Sequence, residues 1–354
     1  MINILITGVG APGIKGTIYC LFNNPNKIPI KIIGIDMDPK AVGQFFVNYF
    51  YAVSSPTDPG YFEEIKQIII KEKINLIIPQ TSSETIFYSK NKSIFELMDV
   101  KVLVVSEHAA CIASNKYLTL QNFLGENLPV TQHYLVNNLN EFEDALKKLD
   151  YPSKKIVVKK PVSNGMRGFR ILSEENLSIE QFLMEKPQVD HVSLSVFINM
   201  LKSINADFPE LLITEYLPGE EYSVDIFRSP HEICIVPRIR ERIRSGISFL
   251  NKIDKHTEII KISKKAAEIM ELFGVFGFQF KLDNNGIAKI LECNPRIQGS
   301  MVASYFAGVN IIWYGVADIL GFDYVVQKPQ WGKSFYRYWG GIGLHNDLQR
   351  YETI

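Results

Sequence analysis

Side chains that suit a metal–phosphate site cluster in GFQFKLDNNGIAKILECNPR, residues 277–296. Glu292 supplies a carboxylate there, and Gln279 and Asn294 supply amide oxygens. Mg²⁺ prefers such oxygen ligands, and phosphates and waters fill its remaining positions. Arg296 follows shortly after Asn294, within reach of a phosphate that the cation would hold. The stretch therefore predicts a Mg²⁺ site, provided that the fold brings Gln279 beside Glu292.

A β-hairpin would bring these groups together. Asn285-Gly286 is a two-residue turn signal, because both residues tolerate positive φ angles. Counting outward from that turn sets Gln279 directly opposite Glu292, on the same face of the hairpin. Asn294 lies two residues beyond Glu292 and therefore points to that face as well. Taken alone, the stretch fits equally well a polar hairpin in which Glu292 is buried and satisfied by its neighbours.

The N-terminal stretch contains a second candidate site. A short apolar strand precedes Gly8, Gly10 and Gly13, which have the G-x-G-x-x-G spacing of a dinucleotide-binding turn. The next strand, KIIGIDMD, carries Asp36 at the distance where such turns keep an acid for ribose hydroxyls. The pattern favours an NAD-dependent oxidoreductase, or a turn whose N–H groups attract another anion.

The elements around these motifs fall into two parts. Strand and helix patterns alternate from residue 1 to about 110 and predict a parallel, doubly wound sheet. Hairpin-like strand pairs then predominate, with one long helix at ISKKAAEIMELF. This change predicts an α+β module built mainly on antiparallel sheet. The fold class is therefore α/β followed by α+β.

Composition sets the class of protein. The 354 residues carry 38 basic and 38 acidic side chains, so the zero net charge gives no general attraction to nucleic acid or membranes. Four scattered cysteines predict a reducing compartment, with neither a disulfide framework nor a zinc site. The sequence shows no signal-peptide pattern and no uninterrupted apolar run of roughly eighteen residues. We therefore expect a soluble cytoplasmic protein.

The segment ECNPR, residues 292–296, closely resembles the E-x-N-P-R motif of the ATP-grasp superfamily. The glutamine on the preceding strand and the small-residue helix that follows make the chain most similar to one branch. That branch is a single ATP-grasp unit of the carbamoyl-phosphate-synthase large subunit. The resemblance extends in order over nearly the whole chain.

This resemblance implies a division of the chain. A Rossmann-like pre-ATP-grasp domain would cover 1–112, and a two-lobed ATP-grasp domain with antiparallel sheets would cover 113–325. Its small lobe would lie at about 125–215, with a hinge at about 215–221. The tail, 326–354, would pack on the ATP-grasp domain.

The resemblance also implies which residues bind ATP and its metal. In the family, a basic residue directly before a proline contacts the nucleotide phosphates, and Lys160 holds that position. Lys116 holds the position of a helix lysine that reaches toward the same phosphates. Hinge backbone would read the adenine edge, and Glu221, with Glu220 as the alternative, would accept the ribose hydroxyls. The implied cofactor-binding set is Lys116, Lys160, Asn164, Gly165, Gly168, Glu215, Tyr216, Leu217 and Glu221. Mg²⁺, or Mn²⁺, would be held by Gln279, Glu292 and Asn294.

Alternating arginines offer further anion contacts. On a regular strand one face would carry all four, namely Arg238, Arg240, Arg242 and Arg244. A solvated charged face explains the run by itself, whereas the resemblance implies that one or two hold the substrate carboxylate or the phosphoryl group. The residues expected to act in catalysis are Arg296, Arg238 and Lys160. The candidates for substrate binding are Gly10, Glu84 and Arg240, with helix capping the simpler role for Glu84.

The resemblance implies an ATP-dependent carboxylate ligase, a C–N bond-forming enzyme. A carboxylate would attack the γ-phosphate to give an acylphosphate and ADP, and an amine or similar nucleophile would displace the phosphate. Small-molecule carboxylate and amine substrates are the expected partners, with no nucleic acid and no membrane, and a homodimer is left open. The alternatives are half of a split carbamoyl-phosphate-synthase-like enzyme, an NAD-dependent oxidoreductase, and a catalytically silent nucleotide-binding subunit.

Overall fold

The computed structural model describes residues 1–163, 167–174, 183–184, 190–203, 207–344 and 351–353. Its strands form several separate sheets. The N-terminal sheet is parallel, with the strand order β3-β2-β1-β4-β5. Its strands are β1 (Ile2–Ile6), β2 (Ile30–Asp36), β3 (Tyr49–Ala52), β4 (Leu76–Ile78) and β5 (Lys101–Val102). Its helices are α1 (Ile14–Phe22), α2 (Tyr61–Glu72), α3 (Ser82–Lys90) and α4 (Lys92–Leu97), with a 3₁₀ helix at Val42–Phe46.

The central strand β1 is apolar at every residue except Asn3, because both of its faces are covered. Ile4 and Ile6 enter one hydrophobic core together with α1. Leu5 points the other way, into a second core with Tyr61 of α2 and Tyr88 of α3. A continuous apolar strand between two helical layers is typical of parallel sheets.

The second sheet has the order β6-β10-β7-β8-β9 and follows two helices, α5 (Glu107–Ser114) and α6 (Lys116–Gly125). Its strands are β6 (His133–Val136), β7 (Ile156–Lys159), β8 (Arg170–Leu172), β9 (His191–Val192) and β10 (Leu211–Glu215). One face packs on α7 (Leu139–Lys148) and α8 (Leu194–Lys202). Ile156 and Val158 of β7 lie in that core, so the alternate residues Val157 and Lys159 face away from it.

The third sheet is antiparallel, with the order β15-β14-β11-β12-β13-β16. Its strands are β11 (Glu221–Arg228), β12 (Ile233–Arg244), β13 (Ile247–Ile253), β14 (Gly274–Leu282), β15 (Ala288–Asn294) and β16 (Ser334–Tyr336). On one face α5, α6 and α9 (Thr257–Ile269) cover a core that includes Phe276, Phe278 and Phe280. The other face adjoins α10 (Val302–Phe306) and α11 (Ile311–Leu320), whose Trp313 is fully buried in the core that also holds Ile4.

The predicted fold class is confirmed, since a parallel α/β part precedes antiparallel sheets. A short pair, β17 (Ile342–Leu344) and β18 (Tyr351–Thr353), ends the described chain. The domain limits at 112 and 325 stay predictions. Among the described residues, no helix combines the length and apolarity needed to cross a bilayer.

The turn of the β14–β15 hairpin differs from the prediction. Leu282 pairs with Ala288, so the loop is longer than the two-residue turn expected at Asn285-Gly286. The Oδ1 atom of Asp283 accepts the N–H of Asn285 at 2.8 Å and orders this loop. The two-residue turn was therefore wrong, because an Asp side chain two residues earlier supports a wider loop.

The pairing that matters for the site is nevertheless the predicted one, because a bulge restores the register. Phe280 pairs with Ile290, whereas the next pair is Gln279 with Glu292, so Leu291 is the extra residue. The longer loop shifts the ladder by one residue and the bulge shifts it back. Gln279 and Glu292 thus lie side by side on the sheet.

Candidate functional site

The three predicted metal ligands lie on one face of the third sheet. Gln279 is opposite Glu292, and Asn294 stands two residues further along the same strand. The Nδ2 atom of Asn294 donates to Oε1 of Glu292 at 3.1 Å, which turns the amide oxygen of Asn294 toward other partners. A carboxylate flanked by two amide groups has the donor chemistry that Mg²⁺ selects. Their role as ligands stays a prediction.

Two lysines surround the carboxylate of Glu292. The Nζ atom of Lys116, the first residue of α6, lies 3.5 Å from Oε2 of Glu292 and donates to the backbone oxygen of Ser163 at 2.8 Å. Burial raises the pKa of Glu292, but the charges of Lys116 and Lys159 and the hydrogen bond from Asn294 outweigh it. The pKa of Glu292 therefore lies below its usual value, and the carboxylate is ionised at neutral pH.

Lys159, rather than the predicted Lys160, is the lysine of β7 that enters this site. Lys159 is 8% exposed, and desolvation lowers its pKa from 10.5 to about 8, against the attraction of Glu292. Lys160 is exposed, and its aliphatic stem packs on Gly168. The geometry thus favours Lys159 for phosphate contact. The alternation of β7 contained this signal, because Ile156 is a core residue and Lys159 has the opposite phase.

The glycine loop after β7 is described in part. Gly168 has a φ of +71°, and a Cβ there would lie 2.8 Å from Cγ of Lys160, so the position requires glycine. Asn164 and Gly165 lie outside the described residues. The phosphate-binding role of this loop stays a prediction.

The predicted hinge follows β10 and carries three of the implied adenine contacts. The Oε1 atom of Glu215 accepts the backbone N–H of Gln132 at 2.7 Å and Nζ of Lys289 at 3.0 Å, so this side chain ties β6, β10 and β15 together. The ring of Tyr216 lies 5.4 Å from Nζ of Lys281, and Leu217 is 3% exposed. These contacts order the hinge backbone, and its adenine contacts stay a prediction.

Arg238 has different partners from those predicted. It is 1% exposed, and its Nε and Nη2 atoms donate to the two carboxylate oxygens of Asp225 at 2.7 and 2.8 Å. Nη1 donates to Oδ1 of Asn251 at 2.7 Å, and Nη2 also reaches Oε1 of Gln298 at 3.1 Å. A guanidinium held in this way is a buried structural ion pair, so direct contact with a phosphoryl group is not favoured.

The four arginines of β12 do not share one face. Arg240 pairs with Asn251 and Arg242 with Leu250, so Glu241 has no partner in the ladder. This bulge moves Arg242 to the face opposite Arg240, and the expectation of a common face was wrong. Arg240 forms an ion pair with Glu221, the predicted ribose ligand, and Nε of Arg240 donates to Oγ of Ser248 at 2.7 Å.

Arg296 connects the third sheet to the N-terminal part. Its Nε donates to Oγ of Ser82 at 3.2 Å, and Nη1 donates to the backbone oxygen of Ile297 at 3.0 Å. Burial lowers the pKa of Arg296, although Glu292 and Glu84 oppose the shift. Ser82 belongs to the stretch in which Glu84 and the neighbouring Ser and Thr hydroxyls are predicted substrate contacts, and no local pattern indicated its link to Arg296.

Glu84 caps its own helix. Thr81 and Glu84 form a reciprocal capping box at the start of α3, and Oγ1 of Thr81 donates to Oε2 of Glu84 at 2.7 Å. Burial raises the pKa of Glu84, with the Thr81 and Thr7 hydroxyls opposing the shift. This is the simpler of the two roles expected for Glu84, and substrate contact stays a prediction.

The glycine turn at the N-terminus faces protein rather than open space. The N–H of Gly10 donates to Oδ2 of Asp36 at 2.7 Å, so the acid expected for ribose supports the turn itself. A Cβ on Gly13 would lie 2.6 Å from Cα of Gly299, which covers the start of α1. A pyrophosphate needs that helix N-terminus free, so the arrangement disfavours both NAD and a substrate anion on Gly10.

The antiparallel sheet carries the carboxylate and the amides, and lysines from α6 and β7 lie beside that carboxylate. Together with the preceding parallel α/β part, this is the architecture of an ATP-grasp fold. The resemblance of ECNPR to the ATP-grasp motif is confirmed by an ATP-grasp family match over part of the chain. More particularly, residues 207–337 match the family described as ATP-grasp in the biosynthetic pathway with Ter operon. Residues 4–103 match the PylC-like N-terminal domain. The carbamoyl-phosphate-synthase-like branch stays a prediction.

Solved structures share this architecture. The ADP complex of N5-carboxyaminoimidazole synthetase from Staphylococcus aureus is 16% identical with a TM-score of 0.68, over 92% of this chain and 79% of that one. The biotin carboxylase domain of Hydrogenobacter thermophilus 2-oxoglutarate carboxylase, with MgADP and bicarbonate, is 13% identical with a TM-score of 0.68, over 94% and 73%. L-amino acid ligase from Bacillus licheniformis is 12% identical with a TM-score of 0.61, over 90% and 74%. At these identities the likeness shows the fold.

Proposed function

We propose that this protein is an ATP- and Mg²⁺-dependent carboxylate–amine ligase. The observation that carries the proposal is the group of three cations, Lys116, Lys159 and Arg296, around the carboxylate of Glu292. An excess of positive charge beside an ionised carboxylate and two amides suits a metal-bound polyphosphate. The solved structures of similar fold with ADP, MgADP or an amino acid ligase activity support the same class.

Phosphate binding is the proposed work of the two lysines. The low pKa of Lys159, about 8, arises because its ammonium is desolvated. A phosphate placed beside Lys159 would supply the missing counter-charge and hold the lysine protonated. Lys116 already makes hydrogen bonds to Ser163 in the segment after β7, so it is positioned to close that segment onto the phosphates.

The metal group would be held by Gln279, Glu292 and Asn294. Bound there, Mg²⁺ would neutralise charge on the phosphates and keep them in line for transfer. The protein's own part is to hold the oxygen donors on one sheet face and to keep Glu292 ionised. The charges of Lys116 and Lys159 lower the pKa of Glu292 and so keep its carboxylate ionised.

In the proposed reaction a substrate carboxylate oxygen attacks the γ-phosphorus, the bond to the bridging oxygen breaks, and ADP leaves. The amine nitrogen then attacks the acyl carbon, the bond between this carbon and the phosphate oxygen breaks, and the nitrogen loses a proton as phosphate departs. Arg296 would stabilise the charge on the transferring group. Gln298, which the sequence argument did not single out, is 6% exposed and its Nε2 has no partner among the described residues, so it can donate to the substrate carboxylate.

Adenosine recognition is proposed at the hinge. Backbone groups of residues 215–217 would contact the adenine edge, and Glu221 would accept the ribose hydroxyls while keeping its ion pair with Arg240. Glu220 is the alternative acceptor, since its Oε2 lies 3.4 Å from the hydroxyl of Tyr222 and remains open to a further partner. No observation favours the split carbamoyl-phosphate-synthase alternative.

The test is ADP release from ATP with pools of carboxylates and amines, in the wild type and in Glu292→Gln. A ligase requires both pools, and the near-isosteric Gln removes the metal's anionic ligand while keeping the shape. We expect turnover to fall by about 100-fold or more, or about 2.7 kcal/mol. Lys160→Gln is the matched control, because Lys160 is exposed and should retain turnover within about twofold. Equal turnover in Glu292→Gln would overturn the metal assignment.

A further inference from the structure

The loop that follows the ECNPR segment rests on the N-terminal part of the chain. Residues 295–301 connect β15 to α10 without belonging to a strand or helix. The backbone of Gly13, at the start of α1, packs so closely on Gly299 that a Cβ on Gly13 would lie 3.0 Å from the Gly299 carbonyl oxygen. The loop has local backbone turns, namely the N–H of Arg296 to the oxygen of Asn294 and that of Met301 to the oxygen of Gln298, and in addition it contacts the N-terminal part.

Arg337 bridges the two sides of this contact. Its Nη1 donates to the carbonyl oxygen of Pro12 at 2.6 Å, and its Nη2 donates to that of Gly299 at 2.6 Å. The backbone N–H of Arg337 donates to the carbonyl oxygen of Phe249 at 2.7 Å, which anchors the residue beyond β16 on the third sheet. Arg337 thus contacts the glycine turn and the loop through its guanidinium, and the sheet through its backbone N–H.

Within the described residues, carbonyl oxygens rather than an acid hold the side chain of Arg337. No carboxylate lies within ion-pair distance of it in the part of the chain that the structure describes. Its Nε is buried without a hydrogen-bond partner, and burial and the charge of Arg238 lower its pKa. A cation satisfied by carbonyl oxygens alone is costly to keep, which indicates a purpose beyond local stability.

The same loop carries the side chains of the proposed chemistry. Arg296 and Gln298 flank Ile297, and Asn294 directly precedes the loop. From the N-terminal part of the chain, Ser82 accepts a hydrogen bond from Arg296. A shift of the loop would therefore move a proposed metal ligand and a proposed phosphate ligand together.

We propose that Arg337 is a positioning residue that fixes the loop of residues 295–301 by bridging the carbonyl oxygens of Pro12 and Gly299. Through this bridge the N-terminal glycine turn sets the geometry of the metal–phosphate site. The consequence for the site rests on the proposed function, whereas the bridge itself can be tested without any ligand.

The first experiment measures amide hydrogen exchange in the ligand-free full chain for wild type, Arg337→Met and Arg337→Lys. Met keeps the stem and removes both donated bonds, so exchange should rise about tenfold in peptides covering 8–14 and 294–301, and not in α2. Lys retains one cationic contact and should give a smaller rise. Arg242→Met is the matched control, because Arg242 is exposed on the opposite sheet face. Unchanged exchange in both peptides overturns the proposal.

The second experiment measures ADP affinity with Mg²⁺ and with EDTA. Mg²⁺ is expected to raise the affinity of the wild type for ADP. A positioning role predicts that this increase is about tenfold smaller in Arg337→Met, whereas the affinity for ADP in EDTA stays within about twofold of the wild type. Arg337→Lys should recover part of the Mg²⁺ effect. Equal weakening in both conditions indicates general structural damage and counts against the proposal.

The two experiments separate two kinds of failure. If the wild type binds no ADP, the proposed function is wrong, and hydrogen exchange alone decides whether Arg337 fixes the loop. If ADP binds normally but the Mg²⁺ effect survives in Arg337→Met, the proposed function stands and the positioning proposal falls. If Arg337→Met does not fold, the graded response of Arg337→Lys decides in its place.

Discussion

Replacing Lys159 by Met should stabilise the ligand-free protein at neutral pH and weaken its binding of ADP. Lys159 has a pKa of about 8 in the folded protein, against 10.5 as its ordinary value. Each pKa unit corresponds to about 1.4 kcal/mol, so burying the ammonium costs up to about 3 kcal/mol in the free energy of unfolding. Met fills a similar volume without that charge, so the variant should be more stable. The ammonium is also the group proposed to contact phosphate, so the variant should bind ADP more weakly.

The sign of the pH dependence follows from proton binding. Between pH 8 and 10.5 the unfolded chain binds more protons at Lys159 than the folded protein does, so this residue makes stability rise with pH. Below pH 8 the whole penalty applies. The advantage of Lys159→Met should therefore be greatest at pH 7 and should vanish by about pH 11.

Urea unfolding followed by the fluorescence of buried Trp313 measures this difference at pH 7, 9 and 10.5. Lys160→Met is the control, because the exposed Lys160 should change stability by less than about 0.5 kcal/mol. ADP affinity of Lys159→Met should fall by about tenfold or more. Equal or lower stability of Lys159→Met at pH 7 would show that the ammonium is not desolvated, and would refute the reasoning.

Three further substitutions test the structural assignments. Gly13→Ala should destabilise by about 1–3 kcal/mol in urea unfolding, because its Cβ meets backbone at 2.6 Å, whereas Gly125→Ala, with nothing within 4 Å, should be neutral or stabilising. Arg238→Met should cost about 3–5 kcal/mol by leaving the buried Asp225 carboxylate with the Ser304 hydroxyl but without its cation, and adding Asp225→Leu should restore part of the loss. Loss of turnover with full stability would instead favour a substrate contact. The raised pKa of Glu84 means that the folded protein binds a proton there more tightly than the unfolded chain, so this residue makes stability fall as pH rises above 4.5. Glu84→Gln should remove that contribution, and an unchanged dependence of stability on pH would contradict this.

The fold class and the pairing of Gln279 with Glu292 could be predicted from the sequence. The predicted pairing was right only because two features absent from the prediction, a longer turn and a bulge, shift the register in opposite directions. An Asp side chain widened the turn, and a bulge at Leu291 moved the ladder back. The bulge at Leu291 has no glycine or proline to mark it, so local rules could not show it. On β12 a similar bulge had no compensation, and the expected common face of the arginines was lost.

The choice between Lys159 and Lys160 was open to sequence reasoning, since strand alternation separates them once the core face of β7 is known. The bonds of Arg337 and Ser82 were not, because each joins segments far apart in the chain. Such contacts depend on how the parallel sheet docks on the antiparallel one. Periodicity describes the faces of elements and carries no information about which loops meet across an interface.

One hydrophobic core extends through both parts of the chain that match separate family models. It contains Ile4 of the parallel sheet, Trp313 of α11 and Val236 of the antiparallel sheet. A segment that shares its interior in this way cannot be exchanged by recombination without exposing apolar surface on both sides. The N-terminal part would therefore be inherited with its ATP-grasp partner, so that a new substrate preference would evolve by changing loops rather than by shuffling modules.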